Sequence, residues 1–394
     1  MTAASTEITV VGGGIAGLMA AITCAEEGAA VTLHEAHSAL GGRGRATAPP
    51  HVAHDGSHVF YADGPHWRWL AERGLAGPLG RPPARAALRA GFRSDGGFRR
   101  GVPAGFLRMV AHRNRPAPVD RDFLGWAAER YGERATRAAA NAISVVTYDA
   151  DTGRLSAAFV WELLHRVFAP AVPAVRWPIG GWQAVIDRTA ARARELGVRI
   201  ELESRVAEVG GRPTIVATEL ASARRLLGDD TLRWESGDCV LLDLAVREHR
   251  RDAFIVFDLD EGGFHECYSA QDPTIAPRGE ALFQLDMPVR AGETTAQARL
   301  RLEGLADVAL PGWRERVTWQ RKGRAKDRTG ALDLPGHTWR DRPAIDRGGD
   351  VFLAGDMVAA PGMRGEIAMN SALHAARLAL RSARGTRPAR RTQA

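Results

Sequence analysis

An α/β protein of two interleaved domains is the fold class that the sequence predicts. Three observations predict it. A short apolar run, a glycine cluster, a helix-like run and a second apolar run open the chain between Ile8 and Ala36. A strand, a Gly-Asp turn and a helix close it from Val351. Two long insertions lie between, the first helical in pattern and the second rich in candidate strands.

The opening unit is the most specific. Ile8 to Val11 is a β-branched apolar run of the kind that forms a buried parallel strand. From Ile15 to Glu27 the apolar residues Ile15, Leu18, Met19 and Ile22 recur at helical spacing, Gly28 stops the run, and Val31 to Leu33 reads as a second strand. Gly12, Gly14 and Gly17 fit G-x-G-x-x-G across the turn, which makes this βαβ unit a Rossmann-like dinucleotide site. One glycine serves the turn, one lets a pyrophosphate approach the backbone, and one allows helix and strand to pack closely. The first helical residues, Ile15 and Ala16, present free N–H groups and a partial positive charge to the phosphates. Glu35, at the end of the second strand, is placed to accept hydrogen bonds from an adenosine ribose and to disfavour a 2′-phosphate.

Composition narrows the rest. A chain of 394 residues with 25% charged residues reads as globular and long enough for two domains. No apolar run is long enough for a transmembrane helix and no leader precedes the first strand, so a cytoplasmic location is expected, with peripheral membrane contact left open. Cys24, Cys239 and Cys267 have neither disulfide-framework nor metal-ligand spacing, and no metal is expected. The net charge of +7 comes almost wholly from arginine, Lys322 and Lys326 being the only lysines, and the basic residues read as dispersed among acids. Nucleic acid is therefore not an expected partner.

Just after Glu35 the stretch "HSALGGRGRAT" adds a second glycine turn, Gly41, Gly42 and Arg43, for which a nicotinamide domain has no requirement. Here the chain resembles the FAD-dependent amine oxidase and phytoene desaturase superfamily, whose N-terminal signature continues into a Gly-Gly-Arg segment along the flavin. The resemblance implies a Rossmann-like FAD-binding domain interleaved with an α+β substrate domain of mixed sheet and helices. It implies noncovalent FAD, with Gly42 and Arg43 near the pyrophosphate and Gly56, Ser57 and His58 of "HDGSHVFY" towards the isoalloxazine. Val206 would lie beside adenine. "DVFLAGDMVAAPGMRGEIAMN" resembles the closing FAD motif: Gly355 and Asp356 would face the ribityl or pyrophosphate side, and the helix starting near Glu366 and Ile367 would aim its dipole at the flavin. On this reading residues 1–63, 174–236 and 320–394 form the FAD domain and residues 64–173 and 237–319 the substrate domain, with 381–394 a flexible basic tail.

Typical amine oxidases of the superfamily carry a lysine on an early strand of the substrate sheet. The corresponding stretch here, "SGDCVLLDL", has none, which favours the phytoene-desaturase side. The expected activity is dehydrogenation of a fairly apolar small molecule such as an isoprenoid or polyketide, with dioxygen or a carrier as electron acceptor. Alternatives are an isomerase or cyclase using reduced FAD, an amine oxidase, a flavin monooxygenase, or a flavoprotein without catalysis. His58, Arg364 and Glu366 are the candidate catalytic groups. His58 can equally be structural, and for Arg364 and Glu366 the helix-start position favours capping and pairing. Trp177, Trp182, His265 and Tyr268 are weaker candidates for the pocket wall. Oligomeric state is not legible.

Overall fold

The computed structural model describes residues 6–56, 58–169 and 175–385 and divides the chain into two compact units. One contains the chain up to Arg45, Ile186–Trp234 and everything from Trp339; the other contains Ala46–Val185 and Glu235–Thr338.

The first unit is built on a five-stranded parallel sheet in the order Val351–Leu353, Thr214–Val216, Glu7–Val11, Ala30–His34, Arg199–Glu201. The opening strand lies third of the five, with Ile8 and Val10 fully buried on one of its faces and Val11 buried on the other. The opening helix, Ile15–Glu26, crosses from the first strand to the second, and the closing helix, Gly365–Gly385, packs against it along an alanine-rich face that lets the two backbones approach. The contact is close enough for the Cys24 thiol to lie 3.9 Å from the Ala376 carbonyl. The strand expected from Val198 starts at Arg199, and the closing helix runs to Gly385, five residues into the stretch read as a frayed tail.

The second unit holds a seven-stranded mixed sheet in the order Val317–Ala331, Ser236–Arg247, Glu280–Pro288, Phe264–Cys267, Ile255–Asp258, Ala90–Ser94, Gly97–Arg99. All neighbours are antiparallel except Ile255–Asp258 with Ala90–Ser94. Alternation gives the central strands two faces. Val240, Leu242, Leu244, Phe283 and Leu285 pack against Leu302, Leu305 and Ala306 of the helix Thr295–Ala309. That helix starts with a capping box, Thr294 and Gln297 satisfying each other's backbone N–H. The first insertion supplies the helices Ala104–Ala111, Phe123–Tyr131, Glu133–Thr147 and Ala157–Phe168, which pack on one another, and also two strands of the sheet.

The sequence reading closed the strand-rich insertion at Trp319. The outermost strand instead continues to Ala331, paired with Ser236–Arg247 along its length. Its alternation of exposed and half-buried residues in "TWQRKGRAKDR" carries little hydrophobic signal, because an edge strand faces water and is protected from mispairing by its charges. Among the described residues no helix is long and apolar enough to cross a membrane.

His265 lies on a central strand, fully buried, its ring stacked on Phe283 and its Nε2 3.2 Å from the Ala253 carbonyl. Burial pushes its pKa down to about 4 from an ordinary 6.5. The neutral ring therefore contributes its full stability above pH 6.5, and that stability is lost as the pH falls towards 4, at about 1.4 kcal/mol per unit. His265→Phe, which keeps a stacked ring, is expected to gain up to about 3 kcal/mol relative to the wild type between pH 7 and pH 4, read by denaturant unfolding. A difference independent of pH would mean that the imidazole titrates as it does in water.

Candidate functional site

The first unit brings both glycine turns to one helix N-terminus. Gly12 has φ +108°, and a methyl there would sit 2.6 Å from the Ala217 carbonyl oxygen. A methyl on Gly17 would lie 1.8 Å from the Gly12 oxygen, so these two glycines are required by packing of turn, helix and strand. Gly14 differs: it is extended, and a Cβ built on it meets no protein atom within 4 Å. It is the N-cap of the opening helix without a side-chain cap, and the first turn carries no acidic residue, so the leading N–H groups of Ile15, Ala16 and Gly17 have no helical partners. The Gly-Gly-Arg turn closes on this place: Gly41 N–H donates to Gly13 O at 2.8 Å, and Gly41 and Gly42 take φ +115° and +52° to do so. The arrangement is a backbone cradle with a positive dipole end, suited to a pyrophosphate.

Glu35 borders the cradle. Its Oε2 accepts from Gly13 N–H at 2.7 Å, and its Oε1 accepts from His37 N–H at 2.9 Å and the His37 ring Nδ1 at 2.7 Å. Burial alone would raise its pKa, but the Gly13 and His37 donors hold it below the usual value, so the carboxylate is ionised and fixed in direction. With both lone-pair directions of Oε1 engaged, Oε2 keeps acceptor capacity for a hydroxyl. Val206 lies half-buried in the loop after Arg199–Glu201, a loop tied back by Ser204 N–H to Glu35 O at 2.9 Å.

The closing motif joins the same unit. Arg43 pairs with Asp356 at 2.6 Å, which links the Gly-Gly-Arg turn to the end of the last strand. Gly355 N–H donates to Ser371 Oγ at 3.0 Å, fastening that strand end to the closing helix. Glu366 is buried and its Oε2 accepts from Met363 N–H at 3.0 Å, so its carboxylate caps the turn that starts its own helix; Ile367 beside it is core. Arg364 holds φ +52°, an uncommon conformation for a side-chain-bearing residue, directly before the helix.

Gly56 and His58 belong to the second unit, and Ser57 lies outside the described residues. His58 is buried between two rings, stacked on Tyr268 at 3.8 Å and on His54 at 4.2 Å. Burial pushes its pKa down to about 4, only partly offset by the Gly56 carbonyl, Gln284 and Asp272, so it is neutral near pH 7. Next to it runs a row of polar side chains on cross-strand partners: Arg321 opposite Asp243, Asp243 opposite Gln284, Gln284 opposite Glu266. Arg321 Nε donates to Asp243 at 2.7 Å, Gln284 Nε2 to Asp243 at 2.9 Å, and Trp177 Nε1 and Gln271 Nε2 to Glu266 at 2.9 and 2.8 Å. Burial raises Glu266 to about 7 and Asp243 to about 6 against these donors. The sequence reading singled out Tyr268 and Trp177 nearby but missed Asp243, Gln284 and Glu266. The available signal was one or two polar residues inside an otherwise apolar strand, as in "VLLDLAV", "ALFQLDM" and "FHEC". His265 points into core instead, and Trp182 stacks on Phe60 at 4.7 Å.

A family model described as an NAD(P)-binding Rossmann-like domain matches residues 10–73. An oxidoreductase structure from Methanosarcina mazei superposes with TM-score 0.76 at 16% identity over 93% of this chain and 99% of that one. The fold is shared with that oxidoreductase structure. Cyclohexylamine oxidase from Brevibacterium oxydans is also similar, with TM-score 0.71 at 16% identity over 95% and 99% of the two chains. Reduced UDP-galactopyranose mutase gives TM-score 0.69 at 12% identity over 97% and 96%. A search of curated protein sequences returns no match.

The glycines separate by role. Gly14→Ala is expected to change folding stability by no more than about 1 kcal/mol while weakening FAD binding at least tenfold, whereas Gly17→Ala should destabilise by about 2 kcal/mol or more. Thermal unfolding and flavin titration of each apoprotein measure both; a Gly14→Ala protein that binds FAD normally would remove the cradle assignment. At Glu35, His37→Ala should weaken FAD binding about tenfold by releasing the carboxylate, and His37→Asn, which restores a donor, should recover most of the loss.

Proposed function

We propose that this protein is a FAD-dependent oxidoreductase that dehydrogenates a fairly apolar small molecule. The carrying observation is the closure of two glycine turns, Gly41 N–H on Gly13 O, over an uncapped helix N-terminus at which Gly14 leaves room for a ligand. FAD fits that cradle: its pyrophosphate matches the free N–H groups of Ile15, Ala16 and Gly17, its ribose hydroxyls match Glu35, and the Arg43–Asp356 pair borders the same turns. When bound, FAD supplies two-electron oxidation of a C–H bond.

The chain's own residues divide the remaining work. The cradle binds and orients the cofactor through backbone donors. In the second unit, His58 is neutral near pH 7 and so is not an imidazolium acid there, and its role in this reading is to hold the ring stack with Tyr268 and His54. Glu266 changes charge closest to neutral pH among the buried groups of the polar row and is the candidate for receiving a substrate proton. Glu366, engaged with Met363 N–H, serves the helix start. Amine oxidation is disfavoured because the strand Ser236–Arg247 carries no lysine; Lys322 and Lys326 sit on the edge strand, and Lys322 pairs with Glu303 at 3.4 Å.

The likeness to reduced UDP-galactopyranose mutase supports a second reading, isomerisation on reduced FAD without net oxidation. The purified protein is expected to be yellow, to release FAD on heat denaturation, and to lose flavin absorbance when an isoprenoid or polyketide substrate is added without oxygen. Bleaching by substrate supports dehydrogenation; turnover only after prior chemical reduction, with no acceptor consumed, supports isomerisation. A protein that neither carries nor takes up FAD overturns both.

A further inference from the structure

The positive charge of this protein is not dispersed as the sequence reading had it. Residues 81–115 contain nine arginines and one acid, Asp95, a net charge of +8 against +7 for the whole chain, so the remainder sums to −1. Arg81, Arg85, Arg99, Arg100, Arg108, Arg113 and Arg115 are exposed, and among the described residues none of these pairs with a carboxylate. Many arginines elsewhere do, as Arg301 with Glu293, Arg316 with Asp252 and Arg324 with Asp238 show.

The same segment bears large apolar side chains in water. Leu88 and Leu107 are 66% and 60% exposed. Arg100 donates to the Leu88 carbonyl at 2.8 Å, which puts the end of the hairpin Ala90–Arg99 against Leu88. The helix Ala104–Ala111 follows at once, turning Gly105, Phe106 and Met109 inward and leaving Leu107 and Arg108 outward, and exposed His112, Arg113 and Arg115 come after it.

We propose that this arginine and leucine surface docks the protein on an anionic lipid bilayer. Unpaired guanidinium groups match phosphate headgroups, and the two leucines supply the apolar insertion that a purely electrostatic contact lacks. A nucleic acid would use the arginines but not exposed aliphatic side chains, since base contact favours aromatic faces. The proposal stands on charge and exposure alone and does not depend on the reaction chemistry.

The test is co-sedimentation of the full-length, flavin-loaded protein with vesicles of phosphatidylcholine, with and without phosphatidylglycerol. Wild-type protein is expected on the anionic vesicles only, and to leave them as salt is raised. Removing four exposed arginines together, Arg85→Gln, Arg99→Gln, Arg100→Gln and Arg113→Gln, should reduce partitioning by roughly a hundredfold or more, since each arginine near an anionic surface is worth roughly fivefold. Leu88→Ser with Leu107→Ser should reduce it about tenfold at unchanged net charge. A control with the same loss of charge elsewhere, Arg199→Gln, Arg212→Gln, Arg225→Gln and Arg233→Gln, should bind as wild type. Flavin content and melting temperature show that each variant is folded. Failure of the wild type to bind anionic vesicles, equal loss in the control, or tighter binding to duplex DNA than to the vesicles would overturn the proposal.

Discussion

The hydrogen bond from Gly41 N–H to the Gly13 carbonyl is the constraint on which the first unit depends. It can form only if the turn after the opening strand and the turn after the second strand meet, and both must then adopt left-handed backbone at Gly12, Gly41 and Gly42. Meeting there brings the end of the second strand alongside, so Glu35 reaches Gly13 N–H and is held ionised in spite of its burial. It also carries Arg43 to Asp356, which ties the last strand of the sheet to the first turns of the chain. A backbone cradle and a five-stranded sheet thus share one set of contacts, which the Glu35 carboxylate and the Arg43–Asp356 pair tie together.

The second unit solves a different problem. Its sheet has one face apolar and covered by the helix Thr295–Ala309, as alternation requires. The other face carries Asp243, Gln284 and Glu266 on neighbouring strands, where burial would be costly for each alone. Cross-strand register sets Asp243 beside Gln284 and Arg321, and Trp177 and Gln271, from outside these strands, donate to Glu266, so their polar atoms are largely satisfied without water. The residual expense of desolvation is visible in their titration: the carboxyls move up towards neutrality and the neighbouring His58 moves down. Groups that would be spectators on a surface become proton-sensitive here because the sheet denies them solvent.

The stretches legible in the sequence were those whose physics is local. The run from Ile8 to Ala36 announced strand, turn, helix and strand because periodicity and glycine chemistry act within a few residues, and the strand at Val351 and helix at Gly365 followed the same rules. The edge strand Val317–Ala331 was cut short because a strand facing water shows no apolar alternation to read. The arginine surface was passed over because a chain-wide charge averages a concentrated segment with a slightly acidic remainder.

The sequence by itself determined the fold class and the glycine turns of the first unit, since each depends on a turn or period written in adjacent residues. Only the tertiary structure decided which polar residues share the sheet face, that His58 is neutral between two rings, and that Glu366 caps its own helix. Asp243, Glu266 and Arg321 lie far apart in the chain and become neighbours only through strand register. Charge states set by burial and by partners brought from elsewhere have no local signature, and so the chemistry of the site emerges only when the strands pair.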